Sequence, residues 1–242
     1  MAAKNPKRKP TAKSSSVPER KPTGRGGWRP GAGRPRGRKT ASHTRRYSFD
    51  TPTVLFATLR AVPGVALRRD RNLKAVREAV AASDRDTFRI VHFNVLADRF
   101  HFVVEADDDG ALKRGMQGLT IRLARRLNVV LERDGALFAE RYYARPLRSP
   151  REIRDAIRNL LLAGGGKAID KFSSGAWFDG WHASTPRDAA TQKLAATPSP
   201  VAAPKTAALA SSWRRAGLLA LDETVGAVAD PLTDYGDDLK AG

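Results

Sequence analysis

Between residues 47 and 165 the apolar side chains fall into short continuous runs and helical stripes, with Pro, Gly and Asp at the joins. Residues 53–59 are rich in Val, Leu, Phe and Thr and lie between Pro52 and Pro63-Gly64, so they read as a first strand. Residues 69–82 predict a helix with Leu73, Val76 and Val80 on one face. Two further apolar runs, 88–96 and 100–106, are separated by Ala97-Asp98-Arg99, which predicts a tight hairpin. In the first of them His92 is expected on the same side as Ile90 and Asn94, as an ordinary half-buried strand histidine.

Over 109–133, Leu112, Met116, Leu119, Leu123, Leu127 and Val130 recur at helical spacing, while Arg114, Arg122, Arg125 and Arg126 project from the other side. Such a basic back is ordinarily just solvated, but in a DNA-binding protein these four arginines are candidate phosphate contacts. Residues 137–147 can supply a fourth strand. In Ser149-Pro150-Arg151-Glu152, Ser149 suits the N-cap, Pro150 the first helical position and Glu152 a capping box, and the helix they start is expected to end at Gly164-Gly165-Gly166. Beyond it, Trp177-Phe178-Asp179-Gly180-Trp181 reads as an aromatic clasp packing back on the domain, and residues 212–221 as one short terminal helix.

Strand, helix, hairpin, helix, strand, helix is the order of an α+β fold with helices packed on an antiparallel sheet. The expected organisation is a disordered basic arm over 1–46, the folded domain over 47–165 and an aromatic extension over 166–182. An Ala-, Pro- and Thr-rich linker over 183–210 and a C-terminal helix and tail over 211–242 complete it.

Charge sharpens this picture. The chain of 242 residues has a net charge of +19, and residues 1–46 hold 15 Lys and Arg against the single acid Glu19, so +14 of it sits in the arm. A charge block of this kind attracts phosphate backbones. Within the arm, Gly33-Arg34-Pro35-Arg36-Gly37-Arg38 resembles an AT-hook, whose extended core lays arginines such as Arg34, Arg36 and Arg38 along a narrow minor groove. The absence of cysteine excludes disulfides and thiolate zinc sites. No apolar run is long enough for a membrane span and none follows the basic N-terminus as in a signal peptide, so a cytoplasmic, nucleoid-associated protein is expected.

The stretch V-L-A-D-R-F-H-F-V-V-E-A over residues 95–106 resembles the signature strand of the REP-associated tyrosine transposases, a branch of the HUH endonuclease superfamily. The similarity runs from about residue 45 to 165. It takes in G-M-Q-G-L over 115–119 and F-A-E-R-Y-Y-A-R over 138–145, and the tail segments W-F-D-G-W over 177–181 and W-R-R-A-G-L over 213–218 also look like those of the family. The resemblance implies a ferredoxin-like antiparallel sheet carrying helices, DNA as single strand or hairpin for a partner, and a possible homodimer.

The family signature is His-hydrophobe-His, two imidazoles on one strand face holding a Mg or Mn ion that polarises a phosphate. Here Arg99 stands at the first histidine position and His101 at the second. The family's nucleophilic tyrosine, on the last helix, matches Asn159, and the metal-holding amide one turn later matches Ala163. An amide cannot replace a phenol as phosphoryl acceptor. Tyr142 and Tyr143 are substitutes of weak standing, because family members also carry a non-catalytic tyrosine in that strand region.

The reading this implies is a transposase-derived DNA-binding protein that no longer cleaves, with no cofactor and with Arg99 able to neutralise a phosphate. One alternative is an active tyrosine transposase that nicks single-stranded DNA through a displaced tyrosine, with Mg or Mn held by His101 and Glu105 or Asp98. Another is a basic protein that binds RNA or nucleic acid without preference.

Overall fold

The computed structural model describes residues 48–165 and 168–224. The basic arm with Arg34, Arg36 and Arg38, its AT-hook-like core, and residues 225–242 lie outside the described residues. The chain forms β1 (Thr53–Arg60), α1 (Asp70–Ala81), β2 (Phe88–Val95), β3 (Arg99–Ala106), α2 (Asp109–Val130), β4 (Tyr143–Pro146) and α3 (Pro150–Leu162). A 3-10 turn at Ser174–Trp177, two short helices, α4 (Ala189–Ala195) and α5 (Ala207–Ala210), and a 3-10 turn at Ser212–Ala216 follow. The four strands make one antiparallel sheet in the order β2-β3-β1-β4, which is the ferredoxin-like arrangement.

The strands read as continuous apolar runs because both sheet faces are covered. On one face Leu55, Ala57 and Leu59 of β1 and Phe100, Phe102 and Val104 of β3 pack against Val76 and Val80 of α1 and Met116, Leu119, Leu123 and Leu127 of α2. On the other, Val54, Phe56, Val91 and Val103 meet Ile153, Ile157 and Leu160 of α3, together with Phe178, Trp181, Trp213 and Leu219. The helix starts follow their cap residues. Asp108 accepts from the Ala111 amide at 2.6 Å, and Ser149 from the Glu152 amide at 3.1 Å, while Glu152 accepts from the Arg148 amide.

Four expectations need correction. A β-bulge between Ile90 and His92 turns the second half of β2 over, so Ile90 belongs to the α1/α2 core while His92 and Asn94 face α3. The fourth strand is only Tyr143–Pro146. Residues 137–139 touch the end of β1 separately, with an Ala61–Phe138 bridge, and the exposed, charged Glu140-Arg141 pair bulges out between the two stretches. The terminal helix is a single 3-10 turn, because Gly217 adopts a positive φ of 98° and the chain then runs extended to pair Leu219 with Trp181. Residues 183–210, expected as a linker, carry α4 and α5 and bury Thr191 and Leu209. Their few large apolar residues leave no periodicity, and the segment is held through its backbone: Ala202 donates to the Ile90 carbonyl, and Lys205 and Thr206 donate to Glu105.

The aromatic extension is packed against α3 and the sheet. Phe178 stacks on Trp213 with ring centroids 5.6 Å apart and meets Trp181 edge-on at 5.3 Å. Both indole N–H groups are satisfied, Trp181 by the Gly175 carbonyl and Trp213 by the Leu209 carbonyl.

Candidate functional site

The α3 face of the sheet carries a polar row. Pairing places Asn94 of β2 opposite His101 of β3, His101 opposite Thr58 of β1, and Thr58 opposite Tyr143 of β4. Cross-strand partners share a face, so all four side chains project toward α3. The first three are buried, Asn94 completely. Asn94 Nδ2 donates to the Leu160 carbonyl at 2.6 Å and so ties β2 to the last turn of α3. Its Oδ1, Thr58 Oγ1 and both ring nitrogens of His101 have no hydrogen-bond partner among the described residues.

Electrostatics keeps this row neutral. His101 packs edge-on against Phe56 at 5.1 Å. Its burial, followed by the nearby Arg99 charge, pushes the imidazole down to about 4, with Asp98 pulling weakly the other way. His92, two positions along β2 from Asn94, is pushed down to about 4 by burial, opposed by Asp179. It lies 3.5 Å from Ser174 Oγ and edge-on to Phe178.

Arg99, two residues before His101, projects from the same face of β3. Its guanidinium binds Asp98 through Nε to Oδ1 at 2.9 Å and Nη2 to Oδ2 at 3.1 Å. That contact lowers the Asp98 carboxyl below its usual range, against the opposing effect of its burial. Asp98 also meets Arg60 at 3.7 Å. The residue that stands at the first histidine position therefore forms an ion-pair cluster at the mouth of the β2–β3 hairpin.

Glu105 lies four residues further along β3, roughly 13 Å from His101 at about 3.3 Å per residue. Its carboxylate accepts from the Lys205 amide at 2.7 Å and from the Thr206 amide and hydroxyl at 2.9 and 2.6 Å, so it anchors the C-terminal segment. Asp98 and Glu105 are thus both engaged away from His101.

On α3, Asn159 is buried and accepts from Arg158 Nε at 3.3 Å, while Ala163 is the helix C-cap. Tyr142 belongs to the opposite, α1/α2 core. Tyr143 shares the polar row but stands two strands from His101, roughly 10 Å away at about 4.8 Å per strand.

A divalent cation does not suit these residues. Mg and Mn prefer hard oxygen ligands, with one or two carboxylates beside water and phosphate. Thr58 and Asn94, beside His101 in the row, are uncharged, and a guanidinium lies on the same strand face. Among the described residues no cluster of three His, Cys, Asp or Glu side chains is placed to share a metal.

The arginines of α2 lie on the other side of the sheet. Arg126 pairs with Glu78 of α1, and Arg125 borders the same inter-helix cleft. Arg114 and Arg122 lie along the outer surface of α2, reaching back toward Gly110 and Gly118. Sequence reasoning placed His101 and Arg99 but missed Asn94 and Thr58 as members of the row. An Asn inside the run F-R-I-V-H-F-N-V was the available signal for Asn94, and the bulge obscured its facing.

No protein-family model matches the chain, and no curated protein matches it. A solved structure of a REP-associated tyrosine transposase bound to a REP hairpin is similar to it, with a TM-score of 0.46 and 16% sequence identity over 55% of this chain and 82% of that one.

Proposed function

We propose that this chain is a transposase-like protein that binds DNA, as a single strand or hairpin, and does not cleave it. The observation that carries the reading is the state of the His101 position. The imidazole there is buried, Asp98 and Glu105 are engaged away from it, and Arg99 occupies the place where the resemblance puts the other metal-binding imidazole. Asn159 holds the nucleophile position with a carboxamide that cannot form a phosphoryl ester.

Binding does not require that site. The net charge of +19 supplies an electrostatic drive toward phosphate that is independent of sequence and falls steeply with salt. The cations on α1 and α2 extend this drive to the folded domain, on the side away from His101.

Fluorescence anisotropy at one fixed salt concentration tests the reading. Labelled hairpin DNA is the ligand, and unlabelled hairpin, duplex DNA and RNA of matched length are the competitors. The expected result is that hairpin DNA competes best. Equal competition by all three would support a basic protein without preference.

A further inference from the structure

Between helices α1 and α2 lies a surface cleft of about 470 Å³. Arg71 and Lys74, one turn apart on α1, form one rim, and Arg125 and Arg126 of α2 form the other. Only Arg126 is ion-paired, to Glu78. Arg71, Lys74 and Arg125 are exposed and have no ion-pair partner among the described residues. The apolar lining is buried Ala75, half-buried Val130 and Val129, which at 78% exposure is the most exposed large hydrophobic side chain of the described residues, and Glu78, the partner of Arg126, completes the cleft. An exposed valine by itself is unremarkable. Set between unpaired cations, it makes a surface with an apolar centre and an anion-seeking rim.

We propose that this cleft binds one or two nucleotides of a single-stranded nucleic acid, with phosphates on Arg71, Lys74 and Arg125 and a sugar or base against Val129. The complement of such a surface is a ligand that alternates negative charge with flat or apolar surface, which is what an unpaired strand offers. The chain's own charge favours a polyanion over a neutral partner. The cleft lies across the sheet from the polar row, so this contact is independent of the His101 face. The proposal rests on the nucleic-acid-binding reading but assigns it a location.

The test compares the full-length protein with the triple variant Arg71→Glu/Lys74→Glu/Arg125→Glu. A charge-matched control, Arg151→Glu/Lys193→Glu/Arg215→Glu, alters cations on α3 and the C-terminal segment. Affinity for a labelled single-stranded oligonucleotide is measured across a salt series, with circular dichroism melts to verify folding. Loss of three phosphate contacts should shallow the log–log salt slope by about 2 and weaken binding roughly tenfold to a hundredfold at 0.1 M salt. The control should keep a slope near that of the wild type. Equal slopes for the two variants, with strong binding by the wild type, would overturn the cleft and leave the wider reading standing. Failure of the wild type to bind would overturn both. Loss of poly-glutamate binding by the triple variant, with oligonucleotide binding intact, would reassign the cleft to an acidic protein partner.

Discussion

Lowering the pH from 7 to 5 should destabilise this protein through two buried imidazoles, and removing one of them should remove about half of the effect. His101 and His92 are each pushed from 6.5 to about 4, both chiefly by burial. In the unfolded chain each imidazole takes up a proton as the pH falls through 6.5, whereas the folded protein resists until about 4. The unfolded state therefore binds more protons across this window, and stability falls with pH. A tenfold difference in proton affinity between the two states corresponds to about 1.4 kcal/mol, so each histidine should cost about 2 kcal/mol between pH 7 and 5 and about 3 kcal/mol once the pH is below 4. The carboxyls of Asp98 and Glu223 are also held low, but that stability is lost mainly below pH 5, as the pH falls below their ordinary values of 3.8 and 4.5.

His101→Leu is the informative variant, because neither ring nitrogen has a hydrogen bond to lose. Urea unfolding, followed through the buried Trp181 and Trp213, gives the stability at pH 7 and pH 5. The variant should match or exceed the wild type at pH 7 and lose about 2 kcal/mol less on acidification. If wild type and variant lose the same amount, His101 is not buried in its neutral form and the packing described around it is wrong.

Four other outcomes are expected. Gly115→Ala should destabilise by about 1–3 kcal/mol through overpacking, because the new Cβ would sit 2.1 Å from Cγ of the buried Phe88 ring. Gly118→Ala, three residues on, meets only the flexible end of Arg122 and should gain up to about 1 kcal/mol of helix propensity; thermal melts in which both variants shift the same way would contradict this packing. Deleting residues 1–46 should weaken DNA binding and flatten its salt dependence, since they hold 15 of the chain's 44 Lys and Arg; equal salt slopes with and without the arm would refute this. Arg34→Ala should reduce preference for A·T tracts more than Lys13→Ala does in paired binding titrations, and equal effects would reduce the Gly-Arg-Pro core to generic charge.

The elements of the folded domain were legible where pattern and punctuation agreed. The α2 stripe, the β2–β3 hairpin and the Ser149 cap each have a local cause, and each lies close to its expected bounds. What the pattern could not carry was long-range. The bulge that separates Ile90 from His92 is set by pairing with β3, and it decides which polar residues share a face with His101. The C-terminal segment has too few large apolar residues to announce itself, and Glu105, 100 residues away in sequence, holds its backbone. At the site itself, the residue types at 99, 101, 159 and 163 were plain from the sequence. The burial of His101 and the engagement of Asp98 and Glu105 elsewhere required three dimensions.

The most direct test of a DNA-binding protein that does not cleave is to read binding and chemistry in one reaction. Labelled hairpin DNA is incubated with the wild-type protein and Mg²⁺ or Mn²⁺, and half of the sample is run on a native gel and half on a denaturing gel. The predicted result is a shifted band on the first, and neither cleaved DNA nor a covalent adduct on the second. The combined variant Arg99→His/Asn159→Tyr, with Ala163→Asn added, provides the least set of changes that could restore an adduct. A covalent band from the wild type that disappears in Tyr142→Phe or Tyr143→Phe would contradict the account and establish a displaced nucleophile.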